Sequence, residues 1–368
     1  MNPPETHTES TPYSKIHRNF KFNGLAFSRD ELKEVAYSLI KEGEPFEKSI
    51  GDFMLDWLND TPIIEVQTSG STGKPKRIVL QKRHMVNSAL ATGEFFGLRP
   101  SYSALLCLSS DYIAGKMMLV RAMVLGLELD YVSPASEPLL DVSKTYDFCA
   151  MVPLQLENSL DALPRIKTLI VGGAPLSKKL KEKAMAQGQN TVIYETYGMT
   201  ETITHIALKR IDGKKAQSRN FKTISGATLS TDERGCLVID APKITTAPVV
   251  TNDMVRLVSE TEFEWLGRYD SVINSGGVKL FPEQIEAKVA TLIDSPFIVA
   301  GIPDAKLGQQ LVLLIEGEVD IEKLLKDIKA FKDLDRFEIP KEIHLLPEFR
   351  RTDNGKIRRK ETVLSLAK

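Results

Sequence analysis

The chain has 368 residues, of which 42% are hydrophobic and 26% are charged; these values are ordinary for a globular protein, but the length exceeds that of most single hydrophobic cores. Its 48 basic residues balance 49 acidic ones, for a net charge of -1, which argues against a nucleic-acid partner and against a polybasic membrane surface. We therefore expect a globular protein of two domains.

The N-terminal segment, residues 1–15, is polar and contains proline, and it has neither the basic nor the apolar region of a signal peptide. No later stretch holds eighteen uncharged apolar residues, because even the segment 117–132 is interrupted by Arg121, Glu128 and Asp130. We predict a cytoplasmic protein that does not insert into a membrane and whose residues 1–15 are disordered.

A loop rich in glycine and hydroxyl residues, Thr68–Lys76 (TSGSTGKPK), lies between the β-rich run Ile63–Gln67 and the apolar run Ile78–Leu80. Its glycines allow the backbone to approach a ligand closely, and its hydroxyls, amides and lysines can bind an anion. Pro75 stands where a Walker-type loop needs serine or threonine. A surface turn would explain half of this segment but not all of it, so we predict a phosphate-binding loop between two strands.

Between this loop and about residue 200, short apolar runs alternate with helical stretches, which is typical of a parallel sheet covered by helices. Ligands of such sheets bind beyond the carboxyl ends of the strands. The predicted strands are 104–108, 127–132, 148–152, 168–171 and 191–194, and the predicted helices are 113–125 and 177–187.

From about residue 225 to residue 266 the pattern changes to short strands and turns, which predicts a small β unit. A small α+β module is predicted after Asp270. Its clearest helix is the periodic segment 320–331, where Asp320 can cap the amino end. Its other predicted elements are a helix at 282–292 and strands at 297–301 and 311–315.

The predicted fold class is therefore α/β, with a large N-terminal domain and a small α+β C-terminal domain. The large domain holds a mostly parallel, helix-covered sheet and the small β unit. We place it at residues 1–267, a short hinge at 268–270 and the C-terminal domain at 271–368.

Four segments resemble, in order, the motifs of the adenylate-forming enzymes, the acyl-CoA synthetase and luciferase superfamily. The first is the loop, and the second is Tyr197–Thr202, similar to the aromatic-Gly-x-Thr-Glu motif. The third, Gly267–Glu286, is similar to the hinge motif, and the fourth, Arg351–Lys356, to the segment with the catalytic lysine. The resemblance covers about residues 60 to 360 and implies ATP and CoA as co-substrates, Mg²⁺ as cofactor and a C-terminal domain that moves as a lid.

The resemblance also implies roles for individual residues. Lys356 is the catalytic lysine, Glu201 supports Mg²⁺ and Asp270 is the hinge pivot. The residues implied to bind the ATP phosphates are Thr68, Ser69, Gly70, Ser71, Thr72, Gly73, Lys76 and Thr200. Those implied to bind adenosine are Gly173, Ala174, Pro175, Tyr197, Gly198, Asp253 and Arg268, and those implied to line the CoA tunnel are Ser275, Gly276 and Gly277.

Two of these roles have structural alternatives. An isolated aspartate in a turn, such as Asp253, is usually structural. The pair Gly276–Gly277 could equally form a bare hairpin turn. No transition-metal site is predicted, because His84, His205 and His344 lack the spacing of a ligand set.

The acid substrate is indicated by a narrower resemblance. Segments around residues 119–122, 151–156 and 169–174 are similar to those of the o-succinylbenzoate CoA ligases of menaquinone synthesis. Arg121 lies in an otherwise apolar helix, where it needs an anionic partner or an escape to water. o-Succinylbenzoate has two carboxylates and only one is activated, so the resemblance implies that Arg121 binds the other. The alternatives are a solvent-facing Arg121 or a pair with a local glutamate.

Tyr112 and Lys116 are predicted to contribute to the same acid site. Tyr112 stands where the family has a histidine, which leaves an aromatic gate possible, and Lys116 could supply charge or merely extend along the surface. Only 67 residues precede Thr68, whereas family members usually carry a longer N-terminal region. The resemblance therefore implies a trimmed region, with part of the acyl-pocket wall missing or rebuilt.

Two other functions remain open. One is an aryl- or short-chain acyl-CoA ligase with another acid, and the other is a homologue that binds a nucleotide or acyl ligand without turnover. Retention of Lys76, Glu201, Asp253 and Lys356 argues against the second. The expected partners are a small carboxylic acid, ATP and CoA, and the sequence indicates no oligomeric state.

Overall fold

The computed structural model describes residues 16–67, 76–211, 220–351 and 357–367. The predictions for residues 1–15, for Thr68, Ser69, Gly70, Ser71, Thr72 and Gly73 of the loop, and for Lys356 fall outside these ranges. Within the described ranges, no helix is both long and apolar enough to span a membrane.

The described strands are β1 (Lys21–Phe22), β2 (Ile63–Gln67), β3 (Arg77–Gln81), β4 (Ser103–Leu106), β5 (Glu128–Tyr131), β6 (Tyr146–Met151), β7 (Ile166–Val171), β8 (Val192–Gly198), β9 (His205–Arg210), β10 (Phe221–Thr223), β11 (Thr228–Thr231), β12 (Cys236–Asp240), β13 (Val249–Ser259), β14 (Glu262–Arg268), β15 (Ile273–Ser275), β16 (Val278–Leu280), β17 (Phe297–Asp304), β18 (Gly308–Glu316) and β19 (Glu342–Leu346). The described α-helices are α1 (Arg29–Glu42), α2 (Pro45–Leu58), α3 (Lys82–Phe96), α4 (Ile113–Leu125), α5 (Pro153–Asn158), α6 (Lys178–Gln187), α7 (Pro282–Val289), α8 (Ile321–Ala330) and α9 (Arg359–Leu364).

The largest sheet has the order β1-β5-β4-β6-β7-β8-β9-β10-β14-β13-β12-β11. Strands β1 to β8 of this order are parallel, which confirms the predicted parallel sheet. The strands from β9 onward pair antiparallel. The predicted β unit thus continues the same sheet, because β10 joins β9 to β14.

The central parallel strands β4, β6 and β7 are largely buried on both faces of the sheet. In β4, Ala104 and Leu106 belong to one hydrophobic core and Leu105 to the other, as the alternation of side chains along a strand requires. Helices α3 and α4 contribute to the first core, whereas α6 contributes Leu180 and Ala184 to the second. This sandwich of helices around a parallel sheet leaves the loops at the strand ends as the available positions for a site.

The predicted helices form where their caps and periodicity place them. Ser177 caps α6, accepting a hydrogen bond from the Leu180 amide at 3.1 Å. Asp320 caps α8 in the same way, accepting from the Lys323 amide at 3.0 Å. Helices α1, α2 and α3 were not predicted from the sequence, although α1 begins with a capping box formed by Ser28 and Glu31.

The C-terminal module contains a second sheet with the order β16-β15-β18-β17, to which β19 adds beside β18. Helices α7, α8 and α9 belong to the same part of the chain, as the predicted α+β module requires. It meets the large sheet where Gln284 donates a hydrogen bond to the Trp265 carbonyl at 2.8 Å. The position of the domain boundary and of the hinge stays a prediction.

Candidate active site

Two predicted site segments follow neighbouring parallel strands. Strand β7 ends at Val171 and is followed by the turn Gly172–Pro175; β8 ends at Gly198 and is followed by Thr200 and Glu201. Because Val171 pairs with Glu195 in parallel register, both following segments emerge at the same edge of the sheet. The structure therefore brings the predicted adenosine residues Gly173, Ala174 and Pro175, all exposed, to the same edge as Thr200 and Glu201.

The turn after β8 has a backbone that only a glycine permits at its start. A Cβ atom on Gly198 would lie 2.2 Å from the Thr204 carbonyl oxygen. The Thr202 hydroxyl accepts from the Met199 amide at 3.0 Å and donates to the Thr204 carbonyl at 2.8 Å. Ile203 has φ 64°, a strained conformation for a β-branched residue. This tight turn presents Thr200 and Glu201 at the sheet edge.

Glu201 is chemically suited to a magnesium ion. Its carboxylate is exposed and makes no ion pair with any described residue. Mg²⁺ prefers oxygen ligands and is typically bound through one or two carboxylates together with water and substrate phosphates. Within the described ranges, no group of three or more His, Cys, Asp or Glu side chains could hold a metal ion.

A second group of predicted residues is centred on Asp253, which is 7% exposed. Tyr197 donates its hydroxyl to Asp253 Oδ2 at 2.7 Å, and the Trp265 indole N–H donates to Oδ1 at 3.2 Å. Arg268 lies opposite Asp253 in the β13–β14 pair, with Nη1 at 3.8 Å from Oδ1. Burial, and then the Asp253 carboxylate, raises the pKa of Tyr197 well above its usual value. The tyrosine therefore stays protonated and holds the carboxylate in place.

The ring of Tyr197 packs against two phenylalanine rings. Its centroid lies 5.0 Å from that of Phe263 and 5.8 Å from that of Phe221. Such contacts restrict both the ring and its hydroxyl. The structure thus joins Tyr197, Asp253 and Arg268 into one group, as the predicted adenosine site requires, although stacking of Tyr197 on a base stays a prediction.

Glu195 supports the turn after β7 from below. It is 5% exposed, and its Oε1 accepts from the amide of Leu176, the residue after Pro175, at 3.1 Å. Its Oε2 lies 2.9 Å from Lys181 Nζ and 2.8 Å from Lys209 Nζ. Burial acts to raise the pKa of Glu195, but the two ammonium groups outweigh it and lower the pKa below its usual value.

We expect Glu195→Gln to lower the free energy of unfolding by about 3 kcal/mol, because it leaves two largely buried ammonium groups without their counter-charge. Denaturant unfolding of the variant measures this loss. As a control, Glu195→Gln combined with Lys209→Met should be less destabilised than Glu195→Gln alone. An unchanged unfolding midpoint in the single variant would show that the cluster does not support the turn.

Arg121 is buried, with 1% of its surface exposed, and the hydrogen-bond partners of its guanidinium within the described ranges are uncharged. Nε donates to the Thr92 hydroxyl and Nη2 to the Thr204 hydroxyl, both at 3.4 Å. Nη2 also lies 3.4 Å from His205 Nδ1, and Nη1 lies 3.7 Å from Met118 Sδ. Among the described residues, neither a glutamate nor an aspartate pairs with it, and the helix face that carries it is not open to solvent.

Burial lowers the pKa of Arg121 to about 9, so the guanidinium remains charged at neutral pH. A buried charge without a counter-ion is costly in free energy. Its Nη2 end points at Thr204, which is half-buried and belongs to the turn that presents Thr200 and Glu201. The charge is therefore adjacent to the segment implied to hold the nucleotide.

The structure does not bring Tyr112 or Lys116 to Arg121. Lys116 donates to the Ser110 carbonyl at 2.6 Å and lies 5.0 Å above the Phe53 ring, while burial lowers its pKa. Positions 116 and 121 are five residues apart on α4, which places them on different sides of the helix. Tyr112 precedes α4 and is 45% exposed. Their roles in the acid site stay predictions.

The predicted tunnel glycines occupy a hairpin turn. Ser275 pairs with Val278, and between them Gly276 and Gly277 have φ 56° and 83°. These left-handed conformations by themselves favour glycine. A Cβ atom on Gly277 would meet nothing within 4 Å, whereas one on Gly276 would lie 3.1 Å from Leu307 Cδ2; a role of these residues in a CoA tunnel stays a prediction.

The remaining described site residues lie at the ends of strands. Lys76 is exposed directly before β3. Strands β2 and β3 pair as an antiparallel hairpin, which confirms that the predicted loop joins two strands. Asp270 is exposed in the short helical turn between β14 and β15, and its Oδ1 accepts from Arg268 Nε at 3.4 Å.

The residues of these groups that were not identified from the sequence include Thr92, His205 and Trp265. Thr92 and His205 contact Arg121 from 29 and 84 residues away. Trp265 is 12 residues from Asp253. The signal for Trp265 was its place two residues before the hinge motif; no comparable signal marks Thr92.

Comparison with known proteins gives one family. Residues 32–266 match the AMP-binding enzyme family, which is more than half of the chain. The 2-succinylbenzoate–CoA ligase of Bacillus cereus (strain ATCC 10987 / NRS 248) is 25% identical over 91% of this chain and 76% of its own length.

Solved structures are similar in fold. The acyl-CoA synthetase (AMP-forming)/AMP-acid ligase II-like protein from Dyadobacter fermentans DSM 18053 is 36% identical, with a TM-score of 0.60 over 91% of this chain and 98% of that chain. Two structures of o-succinylbenzoate CoA synthetase (MenE) from Bacillus subtilis share the fold, with TM-scores of 0.68. The complex with the acyl-adenylate intermediate OSB-AMP is 20% identical over 81% of this chain and 68% of that chain. The complex with ATP and magnesium is 18% identical over 92% and 82%.

Proposed function

The chain belongs to the AMP-binding enzyme family and is an AMP-forming acid:CoA ligase, and from this premise we propose that its acid is o-succinylbenzoate. The observation that carries the proposal is Arg121, a buried guanidinium without a carboxylate partner among the described residues, adjacent to the turn of Thr200 and Glu201. An acid that keeps one free carboxylate after activation supplies the missing counter-charge. The curated relative acts on the same acid by its name.

In the first half-reaction, a carboxylate oxygen of the acid attacks the α-phosphorus of ATP, and pyrophosphate leaves with its bonding electrons. The loop residues Thr68–Gly73, with Lys76 and Thr200, would hold the phosphates through hydroxyl, amide and ammonium donors. Glu201 would hold Mg²⁺, which when bound neutralises the phosphate charge. Lys356 would contribute the positive charge between the carboxylate and the α-phosphate.

The adenosine would bind at the edge formed by the ends of β7 and β8. There the exposed turn Gly173–Pro175 follows β7, and Tyr197, near the end of the neighbouring strand β8, has its ring packed on Phe263. Asp253 presents a carboxylate that can accept the ribose hydroxyls, and Arg268 assists it from 3.8 Å. Because Tyr197 and Trp265 already hold Asp253, its orientation needs no rearrangement when the ribose arrives.

In the second half-reaction, the thiol sulfur of CoA attacks the acyl carbon, AMP leaves with the electron pair, and the thiol proton passes to solvent. The hairpin Ser275–Gly277 would line the path of the pantetheine arm. Lys356 and this hairpin both fall within the predicted C-terminal domain, residues 271–368, so this domain would rotate about Asp270 between the two reactions.

We expect Asp270→Pro to block thioester formation while pyrophosphate release with the acid continues at the wild-type rate, because proline fixes φ at the pivot. The two rates are measured separately, the second by supplying preformed acyl-adenylate and CoA. Asp270→Ala, which leaves φ free, is the matched control. A proline variant that forms thioester normally would count against rotation about this residue.

A panel of acids tests the substrate. With ATP and Mg²⁺, pyrophosphate release is measured for o-succinylbenzoate and for benzoate and short-chain acids, and CoA thioester is then identified. We expect the dicarboxylate to give by far the highest kcat/KM. Release with benzoate but not with o-succinylbenzoate would favour an aryl-CoA ligase, and no release with any acid would favour a binding protein without turnover.

A further inference from the structure

His205 lies between Arg121 and Thr92 in the buried cluster. It is 5% exposed, and Thr92 is fully buried. His205 Nδ1 is 3.4 Å from Arg121 Nη2, and His205 Nε2 is 3.2 Å from Thr92 Oγ1. Thr92 in turn donates its hydroxyl proton to the Ser88 carbonyl at 2.9 Å. The imidazole thus bridges the guanidinium of α4 and the threonine of α3.

The donors and acceptors allow one protonation state of this imidazole. Arg121 can only donate, so Nδ1 must accept. The Thr92 hydroxyl proton is used on Ser88, so Nε2 must carry the proton and donate it to Thr92 Oγ1. This assignment follows from the hydrogen-bond network. It describes a neutral ring with the proton on Nε2.

The electrostatics agree with that geometry. Burial, and then the charge of Arg121, lowers the pKa of His205 well below its usual value. A proton on Nδ1 would face a guanidinium nitrogen 3.4 Å away. Among the described residues, the ring's charged hydrogen-bond partner is Arg121, and its other hydrogen-bond partner is the uncharged Thr92 on α3.

We propose that His205 is a positioning residue that orients Arg121 without neutralising it. The four described side chains that hydrogen-bond with the guanidinium are uncharged: Thr92, Met118, Thr204 and His205. A carboxylate in place of any of them would hold Arg121 equally well but would satisfy its charge internally. Because the acceptors are neutral, the charge stays available to a carboxylate of the substrate. This inference rests on the proposed function and adds the residue that makes the site selective for an acid with a second carboxylate.

Three substitutions of His205 test its contacts with Arg121 and with Thr92 separately. Asn at position 205 can place an oxygen near the Nδ1 position and keep the acceptor for Arg121, whereas Gln can place its amide near Nε2 and keep only the Thr92 contact. His205→Glu introduces the internal counter-charge. The acids are o-succinylbenzoate and its two single-carboxylate analogues, 2-butanoylbenzoate and 4-oxo-4-phenylbutanoate.

We expect His205→Asn to keep the KM for o-succinylbenzoate close to the wild-type value and His205→Gln to raise it about tenfold. His205→Glu should raise it about a hundredfold. We expect little change in the kcat at saturating acid and in the KM for ATP. The kinetics should also change little with whichever of the two single-carboxylate analogues the wild-type enzyme activates. An equal loss with all acids and with ATP would indicate a merely structural role and would overturn the proposal.

A measurement on the unliganded wild-type protein tests the same residue without activity. The chain has five histidines, so the imidazole nitrogen signals missing from the His205→Asn spectrum identify His205 by ¹⁵N NMR. We expect a neutral ring protonated on Nε2 from pH 6 to pH 8. A charged ring, or a proton on Nδ1, would overturn the proposal. A wild-type enzyme with no preference for the dicarboxylate would instead contradict the proposed substrate, and the protonation state found for His205 would still hold.

Discussion

Arg121→Met should lower kcat/KM for o-succinylbenzoate by about a hundredfold to a thousandfold. The estimate corresponds to about 3–4 kcal/mol for a charge-assisted contact in a buried site, at 1.4 kcal/mol for each factor of ten. The free energy of unfolding should not fall, because the wild-type guanidinium is a buried charge without a counter-ion among the described residues. Steady-state pyrophosphate release and denaturant unfolding measure the two effects.

Two comparisons make this result specific. Arg121→Lys keeps the charge but loses the fork of donors, and we expect an intermediate loss. For the single-carboxylate analogue that the wild-type enzyme activates, Arg121→Met should have the same kcat/KM as the wild-type enzyme. If the methionine variant loses activity equally with both acids, Arg121 supports the fold of the site and does not bind the substrate.

The second large effect is expected at Lys356. Lys356→Ala should suppress formation of the acyl-adenylate by about a hundredfold or more, because one charge contact in the transition state has that weight. Formation of thioester from preformed adenylate should be spared. Lys360→Ala is the matched control, since Lys360 is an exposed lysine in α9 close by in the chain, and it should leave both rates unchanged. Equal loss of the two half-reactions in Lys356→Ala would refute the assigned role.

The helices and strands around the site are predictable where apolar residues recur with a single helical or strand period. The apolar stretch of α4 and the amphipathic α8 were placed correctly from their residues, within one residue at each end for α8. The parallel strands β4 to β8 followed from the alternation of short apolar runs with helices. The connection of the predicted β unit to the main sheet was not readable, because the three-residue strand β10 makes it, and such a short run carries no periodic signal.

The candidate site also has residues that the sequence predicts and residues that it does not. Tyr197, Asp253 and Arg268 were assigned by resemblance, and the structure joins them through hydrogen bonds and strand pairing. The sequence shows that the charge of Arg121 conflicts with its apolar helix, but it does not show which side chains surround the guanidinium. His205, 84 residues away in the chain, meets it only because β9 folds back beside β8, and no local pattern encodes that contact.

Lys116 shows that nearness in the sequence does not imply contact in the fold, although its role in the acid site stays a prediction. Its nearness to Arg121 in the sequence favoured a shared role, yet a separation of five residues on a helix turns the two side chains away from each other. Lys116 contacts Ser110 and the Phe53 ring. Sequence proximity within a helix therefore predicts a shared site only at spacings of three, four or seven.

The most direct measurement is a crystal structure of the protein with a non-hydrolysable acyl-sulfamoyl analogue of o-succinylbenzoyl-adenylate. We predict that the adenine lies beside Tyr197, the ribose hydroxyls contact Asp253, and the free carboxylate binds the guanidinium of Arg121 while His205 keeps its contact. An analogue whose adenosine occupies this edge but whose free carboxylate lies away from Arg121 would contradict the assigned acid site. Adenosine bound elsewhere would contradict the account as a whole.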